Sequence, residues 1–156
     1  MEDQPDHRGA EAPARSSGSG IVIVVGVDGS PTSLHAGAYA AGLARRLHAR
    51  LVVVHVQSPP AWTMLAPEQS WPVHETLAAV ADDVRRQVEV GAAYTGIDME
   101  FLAVDGDPYS ELCRTATAVH ADAVVVGAST HTGHRLMGSV AVRLVRGGRW
   151  PVTVVP

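Results

Sequence analysis

Residues 122–145 read Asp-Ala-Val-Val-Val-Gly-Ala-Ser-Thr-His-Thr-Gly-His-Arg-Leu-Met-Gly-Ser-Val-Ala-Val-Arg-Leu-Val. Residues 123–126 form a continuous apolar run, the pattern of a strand buried on both faces, and Gly127 ends it where the backbone must turn. A helix is predicted to begin at Gly138 and Ser139, and its first N–H groups have no partner within the helix. Strand, glycine-bearing loop and helix in this order predict an anion site at the helix start.

The charges around this stretch favour the same interpretation. From residue 123 to residue 156 there is no Asp or Glu, although the whole chain has a net charge of −4. The same segment contains four arginines: Arg135, Arg143, Arg146 and Arg149. We therefore expect a positive local potential and an anionic ligand rather than a metal.

The composition limits the classes of protein to which the chain can belong. At 156 residues, 46% hydrophobic and 18% charged, the chain is predicted to be one soluble domain. It shows neither a membrane-spanning apolar run nor the apolar core of a signal peptide, so we expect a cytoplasmic protein that binds neither membrane nor nucleic acid. All twelve basic residues are Arg, which excludes a Walker lysine and a Schiff base. Cys113, the one cysteine, is predicted to be a small buried hydrophobe.

Buried strands alternate with amphipathic helices along residues 21–156, after a polar segment at 1–20 that is predicted to be a disordered tail. Strands are predicted at residues 21–27, 51–56, 98–104, 123–126 and 150–155. The first helix begins at Ser30 and Pro31, and its apolar side is expected to carry Leu34, Ala38, Ala41 and Leu47. A loop at 58–73, with Trp62 and Trp71, precedes the longest helix, predicted from His74 to about Tyr94 with Leu77, Val80, Val84 and Val88 at helical spacing.

This alternation predicts an α/β fold with a doubly wound, parallel, five-stranded sheet of the flavodoxin or Rossmann type. The expected strand order is 3-2-1-4-5, and ligands of such sheets bind at the carboxyl ends of the strands where the order reverses. That point lies between strands 1 and 4. Asp28 and Gly127 are therefore predicted to face one crevice.

Five fragments in this order resemble the universal stress protein family. They are Val-Asp-Gly-Ser at 27–30, His-Val at 55–56, Gly-Asp-Pro at 106–108, Val-Val-Gly through Gly-Ser at 125–139, and Pro-Val-Thr-Val-Val at 151–155. The likeness covers residues 21–156. It implies a cytoplasmic homodimer of α/β subunits, acting as a stress-response module that binds ATP or a related adenine nucleotide, with or without Mg²⁺, and is not an enzyme.

The resemblance also implies which residues bind the nucleotide. Asp28, which follows Val27, corresponds to the residue that accepts a hydrogen bond from the adenine amino group, and Val56 to the one that contacts the base through its backbone. The family loop, Gly-x2-Gly-x9-Gly-Ser/Thr, is matched by Gly127, Gly138 and Ser139, with Val140 beside them. No catalytic or metal-binding residue is implied.

The loop departs from the family pattern in two ways. Thr130 stands where the second glycine belongs, and seven residues instead of nine separate it from Gly138. A Cβ there obstructs close approach of the backbone to phosphate, and a shorter loop offers fewer N–H groups. Gly133 could take over as the point where the backbone approaches the phosphate closely. Arg135 is the nearest cation that could contact the phosphate. We expect base recognition to survive and phosphate binding to be weakened.

Two other functions remain as alternatives. The first is a dimeric stress-response protein that binds partners and no nucleotide. The second, more distant, is a nucleotidylyltransferase-like enzyme, because His131 and His134 match a His-x-Gly-His motif, although that motif belongs after the first strand. A metal site at the same two histidines lacks nearby acidic ligands.

The last strand, Pro151, Val152, Thr153, Val154 and Val155, is predicted to lie at the sheet edge. An apolar edge needs a cover, and pairing with a two-fold copy would supply it. We therefore expect a homodimer through this strand.

Overall fold

The structure, a computed structural model, describes residues 20–58, 71–128 and 140–156. These residues contain nine helices and strands. The predicted tail, apart from Gly20, lies outside these residues, as do Trp62 and the loop between residues 128 and 140. The elements are β1 (Val22–Val27), α1 (Pro31–Leu47), β2 (Arg50–Gln57), α2 (Trp71–Thr95), β3 (Met99–Asp105), α3 (Pro108–Ala118), β4 (Ala123–Gly127), α4 (Val140–Gly147) and β5 (Val152–Val155).

The five strands form one parallel sheet in the order β3-β2-β1-β4-β5. The predicted fold class and strand order are thus confirmed. Because the order reverses between β1 and β4, the chain leaves these neighbouring strands in opposite directions, and a crevice opens at their carboxyl ends.

Helices cover both faces of the sheet, so there are two hydrophobic cores. Side chains of β1, β2 and β4 alternate between them, as period-two alternation requires. The first core lies under α1 and α2 and contains Ile23, Val25, Leu51, Val53 and Val125 with Ala36, Ala40, Ala44 and Val84. The second lies under α3 and α4 and contains Val24, Val52, Val54, Val124 and Val126 with Leu112, Cys113, Ala116, Ala141 and Leu144. Cys113 is buried, as expected.

The buried side of α1 differs from the prediction. Leu34 and Leu47 are exposed, and the helix instead buries Ser33, Ala36, Ala40 and Ala44. The reason is steric: where α1 lies closest to the sheet, its fully buried side chains are all small, and Leu43 packs against the core only partly buried. Leu34 and Leu47, which dominated the sequence pattern, are turned away from that contact.

The helix ends follow the sequence signals closely. Ser30 caps α1 by accepting a hydrogen bond from the Ser33 N–H, and Asp107 caps α3 by accepting one from the Ser110 N–H. The start of α2 was predicted three residues too late, since the helix begins at Trp71 with Pro72 in its first turn. Trp71 therefore belongs to the helix rather than to the preceding loop.

Candidate functional site

The crevice between β1 and β4 is closed on one side by the first turn of α1. A Cβ added to Gly127 would lie 2.7 Å from the Thr32 carbonyl carbon and 2.8 Å from the Ser33 nitrogen, both backbone atoms. Ser33 also accepts a hydrogen bond from the Asp28 N–H through its Oγ, at 3.2 Å. The start of α1 thus contacts the ends of both strands, and Asp28 and Gly127 lie in one crevice, as predicted.

Asp28 is held in a tight turn directly after β1. Its Oδ1 accepts a hydrogen bond from the Ser30 N–H at 2.9 Å, and Gly29 adopts the positive φ of 84° that the turn requires. Burial raises the pKa of Asp28, but hydrogen bonds from Ser30, Ser33 and its own N–H lower it, and the net pKa lies below the usual 3.8. Since the residue is exposed, the site presents a fixed carboxylate that is open to a ligand.

Val56 presents backbone groups to the same place. Along β2 these groups point alternately to the two neighbouring strands, because the Arg50 N–H bonds to the carbonyl of Ile21, just before β1, and the Leu51 N–H bonds to that of residue 98, just before β3. Val56, an even-numbered residue like Arg50, therefore faces β1. The last register pair is Val27 with His55, after which β1 leaves the sheet. The Val56 carbonyl consequently faces the gap beside Asp28.

A part of α2 lines this gap, which the sequence did not reveal. A Cβ added to Gly29 would lie 3.8 Å from Val84 and 4.0 Å from Val80. Val84 is buried as predicted, whereas Val80 is 40% exposed. An exposed valine beside a carboxylate and a free strand end offers an apolar contact for a flat ring. We call Asp28, Gly29, Val56 and Val80 the base end of the crevice.

The opposite side, from Gly127 to Val140, is the phosphate end. Gly127 ends β4 and Val140 begins α4. The remaining predicted site residues, Thr130, Gly133, Arg135, Gly138 and Ser139, lie outside the described residues, as do His131 and His134. The structure therefore brings together Val27, Asp28, Val56 and Gly127, and leaves the loop itself a prediction.

The positive charge expected near this end is partly compensated. Arg143 donates a hydrogen bond to Asp107 at 3.2 Å and stacks over the Tyr109 ring at 4.1 Å from its centroid. The hydroxyl and N–H of Ser110, followed by Arg143, hold the pKa of Asp107 below its usual range, so this carboxylate is ionised. Asp107 lies 36 residues before Arg143, outside the acid-free segment 123–156, so the local charge pattern did not predict this pairing.

Among the described residues, no group of three or more His, Cys, Asp or Glu side chains could hold a metal ion. Among the helices described, none combines the length and apolarity needed to cross a membrane.

Comparison with known proteins gives consistent results. A family model described as the universal stress protein family matches residues 22–156. A universal stress protein of Methanocaldococcus jannaschii is 30% identical over 136 residues, which cover 85% of this chain and 80% of that protein.

Two solved structures extend the likeness to the fold. The universal stress protein from Lactobacillus plantarum has a TM-score of 0.76 and 27% identity, covering 87% of this chain and 97% of that one. A universal stress protein crystallised in complex with cAMP has a TM-score of 0.69 and 28% identity, with the same coverage of 87% and 97%. With a family model matched along most of its length and relatives of the same fold, this chain belongs to the universal stress protein family.

Proposed function

We propose that this protein is a cytoplasmic stress-response module that binds an adenine nucleotide in the crevice at the carboxyl ends of β1 and β4. It acts by binding and not as an enzyme. The observation that carries the proposal is Asp28, an exposed, ionised carboxylate that accepts a hydrogen bond from the Ser30 N–H at 2.9 Å. It lies beside the end of β2, where the pairing with β1 has stopped.

The base end has the chemistry to recognise adenine. The exocyclic amino group of adenine is a donor, and both the Asp28 carboxylate and the Val56 carbonyl are acceptors that face the same gap. Guanine and hypoxanthine carry an oxygen at that ring position, which would oppose the carboxylate. Gly29 leaves room beside the ring, and Val80 offers an apolar contact. The complex of a similar universal stress protein with cAMP supports this choice of ligand.

At the phosphate end we expect weaker binding of polyphosphates than in relatives with the full family loop. In this proposal Gly138, Ser139 and the first N–H groups of α4 bind the phosphate, as the family resemblance implies, whereas Thr130 and the two missing residues remove part of the family's loop. At about 1 kcal/mol per lost hydrogen bond, polyphosphate affinity would fall by one to two orders of magnitude. We therefore propose that mono- and cyclic nucleotides bind nearly as well as ATP, and that Mg²⁺ takes part only with a polyphosphate.

Calorimetric titration with AMP tests the proposal. Asp28→Ala should weaken binding by about tenfold or more, because it removes a charged acceptor. Asp82→Ala is the matched control, since it removes the same charge from the exposed side of α2 and should leave AMP affinity unchanged. Absence of AMP binding by the native protein would overturn the nucleotide proposal and favour the alternative of a ligand-free interaction protein.

A homodimer through β5 is the second part of the proposal. β5 is the edge strand of the described sheet, paired only with β4. Its Val154 is 42% exposed, and the neighbouring helix α4 exposes Val142 and Val145. An open strand edge flanked by apolar side chains supports association with a second copy, which would pair the edge and cover these valines.

The dimer is best tested by a point substitution, because a truncation at Gly148 would also remove Trp150 and Val152 from the second core. Val154→Asp should shift the protein from dimer to monomer in sedimentation at micromolar concentration. Val90→Asp, at a position 63% exposed on α2, is the control and should leave the dimer intact. If the native protein sediments as a monomer, the dimer proposal is wrong.

A further inference from the structure

Two polar side chains end the otherwise apolar face of β2 under α1 and α2. Leu51 and Val53 occupy this face in the first core, and His55 and Gln57 follow them at the carboxyl end. His55 is only 4% exposed, so its ring needs a hydrogen-bond partner inside the protein. Burial of this polar ring costs free energy unless it is hydrogen-bonded.

The partner of His55 is the last carbonyl of β1. Its Nδ1 lies 2.9 Å from the Val27 oxygen. Because a carbonyl oxygen can only accept, Nδ1 must carry the proton and donate it. The side chain therefore ties β2 to β1 at their last register pair, one residue before Asp28 and one residue before Val56.

The residue after Val56 is also fixed, on the other side. The Gln57 carbonyl accepts a hydrogen bond from the Gly106 N–H at 2.9 Å, and its Nε2 donates to the Leu77 carbonyl of α2 at 3.3 Å. Val56 thus lies between one residue bound to β1 and another bound to α2 and to the turn after β3. Of these side-chain ties, the one from His55 links β2 to β1, alongside the backbone pairing of the two strands at Val27 and His55.

We propose that His55 is a positioning residue: its Nδ1–H bond to the Val27 carbonyl fixes the spacing of the Asp28 carboxylate and the Val56 carbonyl, and so sets the preference for a 6-amino over a 6-oxo purine. The effect on purine preference rests on the proposed nucleotide function. The hydrogen bond from His55 to Val27 exists without a ligand. His55 does not touch the base in this scheme. It acts through the backbone of its neighbours.

The test compares His55→Asn with His55→Gln. The amide nitrogen of asparagine falls near the position of Nδ1 and can still donate to Val27, whereas that of glutamine falls near Nε2 and cannot. Both variants are neutral and polar. Affinities for AMP and IMP are measured by calorimetry, and exchange of the Val56 and Asp28 amides is followed by NMR in nucleotide-free protein.

We expect the native protein and His55→Asn to prefer AMP over IMP by about tenfold or more, and His55→Gln to lose most of that preference. Amide protection at Val56 and Asp28 should fall about tenfold in His55→Gln alone. The same AMP:IMP ratio in both variants, with unchanged protection, would overturn the proposal. If the native protein binds neither nucleotide, the proposed function fails, while the exchange measurement still decides whether His55 holds the strand ends.

Discussion

The two ends of the crevice are built in different ways. At the base end, Asp28 is positioned by residues within five positions of it, through bonds to the Ser30 N–H and the Ser33 hydroxyl. At the phosphate end, Gly127 and Val140 are separated by a loop whose length must match its ligand. A change of two residues in that loop leaves the turn at Asp28 untouched. Base recognition and phosphate binding are therefore expected to vary independently.

The largest effect is expected at Gly127, where the phosphate end contacts the first turn of α1. Gly127→Ala would place a Cβ within 2.8 Å of three backbone atoms of α1, and backbone atoms have little freedom to move away. We expect it to lower the free energy of unfolding by about 3 kcal/mol, measured by urea denaturation.

The control is Gly91→Ala, on α2, where a Cβ would meet nothing within 4 Å. That change should stabilise the protein by about 0.5–1 kcal/mol, because alanine is the better helix former. Equal stability of Gly127→Ala and the native protein would contradict the close contact between α1 and β4.

The next effect concerns the loop. Thr130→Gly combined with two inserted residues before Gly138 should raise ATP affinity by about one to two orders of magnitude and change AMP affinity by less than about threefold. Two residues inserted with Thr130 retained form the control, which separates loop length from the effect of the Cβ. If AMP affinity rises as much as ATP affinity, the two ends are not independent.

A smaller effect is expected at Arg143, which could serve either the fold or the ligand. Because it is bound to Asp107 and stacked on Tyr109, Arg143→Met should cost about 0.5–1 kcal/mol of stability and leave AMP affinity within about threefold. Arg86→Met, at an exposed pair with Asp83, is the control for loss of a surface arginine. A tenfold loss of AMP affinity in Arg143→Met would show that the side chain turns to the phosphate.

The smallest effect is the pH dependence of the base end. The folded-state pKa of Asp28 is lowered, so its contribution to stability is present above its unfolded pKa and is lost as pH falls through the folded value. The difference in unfolding free energy between the native protein and Asp28→Asn should be constant from about pH 5 to 8 and shrink below about pH 4. A change between pH 5 and 8 would contradict an ionised Asp28.

Local patterns predicted the fold well. The strand order follows from alternating buried strands and helices, and the caps at Ser30 and Asp107 act on residues only three positions away. The turn at Asp28 is equally local. These features are readable because the sequence that specifies them is contiguous.

Features that depend on close packing or on distant partners were missed. The buried side of α1 is set by the distance of the helix from the sheet, so alanines replace the leucines that periodicity selects. Val80 was predicted as part of the apolar side of α2, but only the position of Gly29 shows that it borders the site. Arg143 and Asp107 lie 36 residues apart in the sequence, and no local pattern predicts that they pair.

The central claim is that base recognition is complete while phosphate binding is reduced, and one measurement tests it most directly. Calorimetric titration of the native protein with ATP, ADP, AMP and cyclic AMP should give affinities within about tenfold of one another, since most of the selective binding comes from Asp28 and Val56. ATP bound more than about a hundredfold tighter than AMP would show that the short loop with Thr130 is a full phosphate site, and would contradict the account.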